Sequence, residues 1–215
     1  MHAIDRFAIE QLGIPRVLLM TLAGLAVANA VTREAPPRSR VVVLCGSGYN
    51  GGDGLCAAWH LHRFGYRPDV ILADAQNRLR EEPACFATIL NRLGVPMASL
   101  TSTAHIRTLT SRLRASAIVI DALLGIGLRG PVRPLHTQWI EAMNAGRRPI
   151  IAADIPSGLD GDTGRPHGLA VRAKTTVTFG AAKAGLLKPH AAEYVGALVV
   201  EDIGLPVQLA LRRTA

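Results

Sequence analysis

Aromatic residues are scarce in this 215-residue chain: four phenylalanines, three tyrosines and two tryptophans make up 4% of it. A core with so few rings must be built mostly from Ala, Val, Leu and Ile, which suits a buried parallel sheet covered by helices. Cysteine is rarer still. Cys45, Cys56 and Cys85 form no C-x-x-C pair, and three cannot all pair with one another. Cys45 and Cys56 lie in apolar runs, where cysteine acts as a small hydrophobe, so a reduced, cytoplasmic protein is expected. No long linker, low-complexity tract or internal repeat interrupts the chain, and its length fits one domain over residues 1–215. The lack of a G-x-S-x-G motif argues against an α/β-hydrolase elbow. Wholesale disorder is excluded by 49% apolar residues.

Charge of one sign dominates, at a net +8. Nucleic-acid binding calls for a basic stripe, usually with stacking aromatics. Here the arginines are scattered and the aromatics few, so nucleic acid is not the expected partner. Attraction of a multiply phosphorylated small molecule explains the charge at least as well. Residues 17–31 look like a signal-peptide core ending in an A-x-A site at Ala28-Asn29-Ala30. However, the preceding segment carries Asp5 and Glu10 and reads as an amphipathic helix, and the run is too short to span a bilayer. A buried helix is expected, with no membrane role.

Two helices, 3–13 and 16–31, are broken by Gly13-Ile14-Pro15 and followed by a proline loop. From there the chain alternates in the manner of βαβ units. The expected strands are 40–45, 69–73, 117–121, 149–153, 174–179 and 197–201, with helices at 52–64, 80–93, 104–114 and 135–145. This predicts a Rossmann-like α/β fold: a three-layer αβα sandwich with a mostly parallel sheet and an N-terminal helical addition.

The densest signal is a strand, a glycine loop and a helix start in immediate succession. After Val41-Val-Val-Leu-Cys45, residues 46–54 hold five glycines. Glycines let the backbone approach a phosphate, and the free N–H groups of the next helix favour negative charge. Gly46, Gly48 and Gly51 also satisfy G-x-G-x-x-G, with Asp69 or Asp74 as the ribose acid of a dehydrogenase. The chain has no second domain to hold a reductant's substrate, and Asp53 would repel a pyrophosphate unless a cation or the helix compensates. Asp53 also reads as an N-cap carboxylate, and Tyr49 as a ring packed over the loop.

Two further strands end in unusual chemistry: Ala117-Ile-Val-Ile-Asp-Ala-Leu-Leu-Gly-Ile-Gly-Leu-Arg-Gly-Pro131 and Ile150-Ile-Ala-Ala-Asp-Ile-Pro-Ser-Gly-Leu-Asp160. Ligands of doubly wound sheets bind beyond the carboxyl ends of the strands, so these ends should converge with the glycine loop on one crevice. Asn50, Asp121 and Ser157 together offer an amide carbonyl, a carboxylate and a hydroxyl, the donor set of a hard cation, monovalent or divalent. Strand-end and turn caps are the structural alternatives. Asp154 ends a buried strand, where desolvation would raise its pKa toward acid/base duty near neutrality. Lys183 either reaches a phosphate or reacting group, or is an exposed lysine. The histidines supply no site: His60 and His62 face different directions on a helix, and His105, His136, His167 and His190 lack ligand-spaced partners.

These segments, in this order, resemble the NAD(P)H-hydrate epimerase family, the YjeF N-terminal domain. The matching runs are Gly46-Ser-Gly-Tyr-Asn-Gly-Gly-Asp-Gly54, Asp121-Ala-Leu-Leu-Gly-Ile-Gly-Leu-Arg129 and Asp154-Ile-Pro-Ser-Gly-Leu-Asp160. Thr176-Val-Thr-Phe-Gly180, Lys183-Ala-Gly185 and Val200-Glu-Asp-Ile-Gly-Leu-Pro206 complete a likeness that runs nearly end to end. The resemblance implies an isomerase that interconverts the R and S forms of hydrated NADH and NADPH, dead-end cofactors hydrated at C6 of the nicotinamide ring. It implies that Tyr49, Asn50, Gly51, Gly52 and Asp53 line the substrate together with Gly125, Ile126, Gly127, Leu128, Arg129, Gly130 and Pro131. Asp154 contacts it, and Asn50, Asp121 and Ser157 bind one potassium ion per subunit. The dinucleotide is substrate, not cofactor.

Asp154 is the expected acid/base, assisted by Lys183. A separate NAD(P)H-hydrate dehydratase is expected as functional partner, and the chain as a homodimer. Two positions depart from the family's pattern: Tyr49 stands where the first Asn of a pair is usual, and Thr21 where Glu is usual. The rival reading is a non-catalytic nucleotide-binding or scaffold domain of the same fold.

Overall fold

Val, Ile and Thr crowd the short apolar runs and favour a pleated, buried backbone. In the computed structural model, which describes residues 2–207, they build one seven-stranded sheet. The domain limits expected at 1 and 215 lie outside the described residues. The strands are β1 (Arg40–Cys45), β2 (Arg67–Leu72), β3 (Met97–Ser99), β4 (Ile118–Ala122), β5 (Ile150–Ala153), β6 (Thr175–Phe179) and β7 (Ala197–Glu201). Their order is β3-β2-β1-β4-β5-β6-β7, and every neighbouring pair is parallel. Winding therefore reverses between β1 and β4, where Leu44 pairs with Asp121. That reversal leaves a crevice outside the carboxyl ends of the two strands.

Side chains alternate across each strand and feed two cores. Val41, Val43 and Cys45 face a layer made by α2 (Arg16–Glu34), α3 (Tyr49–Arg63) and α4 (Glu81–Arg92). Val42 and Leu44 face α5 (Ile106–Ala115) and α6 (Pro134–Ala145) through Leu109, Leu113, Trp139, Ile140 and Met143. A third, smaller cluster under residues 155–159 joins Ile155, Leu159, Leu186 and Val195, the last from α7 (Ala192–Val195). This is the expected three-layer sandwich, with a sheet that is wholly parallel among the described strands.

Several boundaries differ from expectation. β3 was not expected: three residues are too few to show a period, and pairing with β2 alone creates the strand. The segment expected as one helix at 3–13 is a helical turn, α1 (His2–Arg6), followed by a π-helical turn at Phe7–Gln11. α2 runs on to Glu34 and reaches 19 residues, so by length and hydropathy it is long enough to cross a bilayer. Half of its apolar window is nevertheless buried inside the fold. Gly24 permits that burial, because a Cβ there would lie 2.6 Å from the Cys56 side chain of α3. Each fully buried valine along it, such as Val27 and Val31, is worth about 1.5–3 kcal/mol.

Candidate active site

The crevice at the β1–β4 reversal is a cleft of about 900 Å³. Its floor is the glycine loop, which is tighter than expected: α3 begins at Tyr49, so Asn50, Gly51 and Gly52 already belong to its first turn. Gly48 is the N-cap and gives no side-chain cap. Asp53 therefore sits a full turn inside the helix and is not the N-cap carboxylate the sequence suggested. A Cβ on Gly51 would fall 1.9 Å from the Gly46 carbonyl oxygen, and only glycine allows the chain to close so quickly into helix. The first backbone N–H groups of α3 are left for a ligand or solvent.

On one side of the loop the oxygens of three residues gather around the backbone of Leu123 and Leu124. Asp121 and Ser157 are wholly buried. Asp121 Oδ1 accepts from Ser157 Oγ (2.5 Å) and Leu123 N (3.3 Å), and Oδ2 accepts from Ser157 N (2.8 Å). Leu124 N donates to Ser157 Oγ at 2.8 Å, and Asn50 Nδ2 donates to the Leu124 carbonyl at 3.1 Å. Asn50 Oδ1 is buried with no hydrogen-bond partner among the described residues. Burial pushes the Asp121 carboxyl up to about 6, against the pull of its hydrogen bonds from Ser157 and Leu123. No cluster of three His, Cys, Asp or Glu that could hold a metal ion occurs among the described residues.

The other side of the loop holds the reactive groups. Asp154 follows β5 with φ of 65°, a left-handed conformation that strains a non-glycine residue. Its Oδ1 accepts from Lys183 Nζ and, at 3.3 Å each, from Thr178 Oγ1 and Phe179 N. Lys183 is only 7% exposed, which removes the surface-lysine reading, and its Nζ also donates to Thr178 Oγ1 at 2.8 Å. Asp154 is thus half of an ion pair with Lys183, the residue expected to assist it. Asp53 faces the same cleft. Burial, reinforced by the charges of Asp154 and Asp5 and opposed by Lys183, holds its carboxyl well above the ordinary range.

Gly125, Ile126, Gly127, Leu128, Arg129 and Pro131 line the cleft, as do Tyr49, Asn50 and Gly51. Gly52 points away, toward Met20 and Pro83, where a Cβ would meet Met20 Cε at 2.6 Å. Gly130 is a left-handed turn residue (φ 71°) behind the lining. Asp69, the possible ribose acid, is buried and held by Arg40 and Arg112 at 2.7 Å each. Asp74 does reach the cleft and accepts from Ser47 Oγ at 2.8 Å.

Sequence reasoning missed five residues in this wall. The guanidinium carbons of Arg16 and Arg80 lie over the Tyr49 ring, 4.4 and 4.5 Å from its centroid. Ile9 and Glu10 from the π-helical turn close one end of the cleft. His136 is buried in its lining, and burial with the nearby Arg133 pushes its imidazole down to about 4. Only the apolar-rich spacing of α6 hinted that His136 turns inward. Thr21 does not line the cleft; its carbonyl accepts a bond from the buried His60 of α3 at 3.3 Å.

A doubly wound parallel sheet with a glycine turn and a polar cleft at its reversal point defines the Rossmann-like α/β class. Within that class the chain belongs to the YjeF-related protein N-terminus family, which matches residues 17–185. It is 37% identical to an NAD(P)H-hydrate epimerase of Rhodopirellula baltica, covering 96% of this chain and 82% of that protein. It is 45% identical to a bifunctional NAD(P)H-hydrate repair enzyme, Nnr, of Pyrobaculum aerophilum, covering 98% of this chain but only 42% of the relative's length. The crystal structure of yeast Ynu0 (YNL200c) superposes with a TM-score of 0.77 at 27% identity, over 93% of this chain and 84% of that one.

Proposed function

We propose that this chain is an isomerase, an epimerase that interconverts the R and S forms of hydrated NADH and NADPH. The observation that carries the reading is the buried Asp154–Lys183 pair on the wall of a cleft that also opens onto the free end of α3. The helix end and glycine loop hold the pyrophosphate, and the family membership agrees with that use. Inversion at C6 requires a proton to move at the oxygen and the developing charge to be stabilised. Asp154 moves the proton, and Lys183, bonded to it, keeps the carboxylate oriented. The S product suits a dehydratase as the next enzyme, acting as a functional partner.

The oxygen set of Asn50, Asp121 and Ser157 fits a potassium ion, because the orphaned Asn50 Oδ1 lacks a donor that a cation would replace. When bound, the ion offsets phosphate charge and holds the two loops together. Asn50→Ala should abolish the rise in melting temperature that potassium chloride produces over sodium chloride, with little change in sodium alone. The function itself is tested by mixing the purified chain with R-hydrated NADH and an S-specific dehydratase and following NADH absorbance. Recovery no faster than the spontaneous rate would overturn the epimerase reading.

A further inference from the structure

Asp53 is a carboxyl group in the wall of the cleft that nothing in the fold uses. It lies on the fifth residue of α3, and among the described residues no side chain or backbone group hydrogen-bonds or ion-pairs with it. A half-buried carboxyl group without protein partners gives up part of its hydration for no hydrogen bond in return, and aspartate is a poor helix former. A structural role would repay neither term. Its counterpart Asp154 sits in the same cleft and is fully engaged by Lys183, Thr178 and Phe179.

We propose that Asp53 is the second catalytic residue, the acid that protonates the departing C6 oxygen while Asp154 acts as the base for the incoming water. The inference rests on the epimerase reading. Two carboxyl groups in unlike surroundings on one cleft, one ion-paired and one without a protein partner, are the usual mark of an acid/base pair.

The groups facing Asp53 are consistent with its carrying a proton. Asp154 and Asp5 add negative potential, Lys183 opposes them, and the neighbouring thiols Cys45 and Cys56 are themselves pushed up by burial and stay neutral. The helix end favours a carboxylate, but that influence fades within the first turn. Asp53 therefore faces the cleft with its carboxyl shifted toward the protonated form and with no protein partner among the described residues.

The step balances as follows. Asp53 gives its proton to the C6 hydroxyl, the C6–O bond breaks with its electron pair leaving as water, and the N1 lone pair forms N1=C6. C6 is then planar. A second water attacks C6 from the other face, the N1=C6 pair returns to N1, and Asp154 takes the proton of that water. One water leaves and one enters, C6 is inverted, and one proton has moved from Asp53 to Asp154; exchange with solvent resets both. The reverse reaction exchanges the two roles.

The test compares wild type with Asp53→Asn, using NADP+ as an unreactive binding probe. The expected loss in kcat is about 100-fold or more, with KM and the NADP+ Kd within about threefold. The wild-type alkaline limb of kcat/KM should disappear in the variant. An active Asp53→Asn, or an alkaline limb that survives in it, overturns the assignment. Oxygen-18 water provides a measurement on wild type alone, should the variant fail to fold. Each inversion should place one solvent oxygen at C6, and inversion with the original oxygen retained sinks the proposal while leaving the epimerase intact. A wild-type chain with no activity removes both.

Discussion

Asp121 and Asp53 are two carboxyl groups near the same thiol, Cys45, one wholly buried and one half-buried, and the fold treats them in opposite ways. Asp121 is wholly buried and accepts three hydrogen bonds that tie β4 to the turn after β5. Asp53 faces the cleft and accepts none from the described residues. A satisfied buried carboxylate is a clamp, because every donor aimed at it becomes unpaired if it is removed. An unsatisfied one on a cleft wall holds the molecule together no better than alanine would. The hydrogen-bond partners, together with the depth of burial, therefore separate the two groups.

The largest expected effect lies on the reactive side. Asp154→Asn should reduce kcat by about 10²–10⁴-fold. The fold should persist by circular dichroism, since an amide oxygen still accepts from Lys183, Thr178 and Phe179. Near-normal turnover in that variant would erase the distinction between the two corners. The clamp side should respond in the opposite sense. Asp121→Ala leaves the N–H groups of Ser157 and Leu123 unpaired and should lower stability by about 3 kcal/mol. A urea midpoint equal to that of wild type would mean that Asp121 clamps nothing.

Acid sensitivity sharpens the contrast through a third group. Asp53 and Asp121 have folded pKa values above their unfolded ones, so their contribution to stability falls as pH rises, and they give no reason for acid unfolding. His136 runs the other way, from the ordinary 6.5 down to about 4. As pH falls through that window the unfolded chain gains a proton that the folded imidazole refuses. Stability should drop by up to about 3 kcal/mol. His136→Gln should flatten this dependence in denaturation curves taken between those limits. The smallest effect is expected at the rim. Tyr49→Asn removes two guanidinium–ring contacts, worth about 0.5–1 kcal/mol each, and should raise KM by less than about tenfold while sparing kcat.

Much of the scaffold was legible because it follows from local pattern. Val and Ile runs placed β1, β4 and β5, and the rule for parallel sheets placed their carboxyl ends together. For that reason Asn50, Asp121 and Ser157 could be grouped although they are 107 residues apart at the extremes. β3 escaped because its three residues carry no period of their own. The N-cap reading of Asp53 failed because the glycine loop closes into α3 three residues earlier than helix propensity suggests. Lys183 stood open between a site residue and the exposed lysine that is usual, because its burial depends on Asp154, 29 positions away.

Hydrophobic periodicity and glycine placement, both local properties, were enough to determine a wound parallel sheet, a phosphate-ready turn and a crevice at its reversal. Only the tertiary structure decided which carboxyl group is clamped, which is paired and which is left without a partner. Those states depend on desolvation and on donors supplied from distant segments, and no stretch of sequence carries that information by itself.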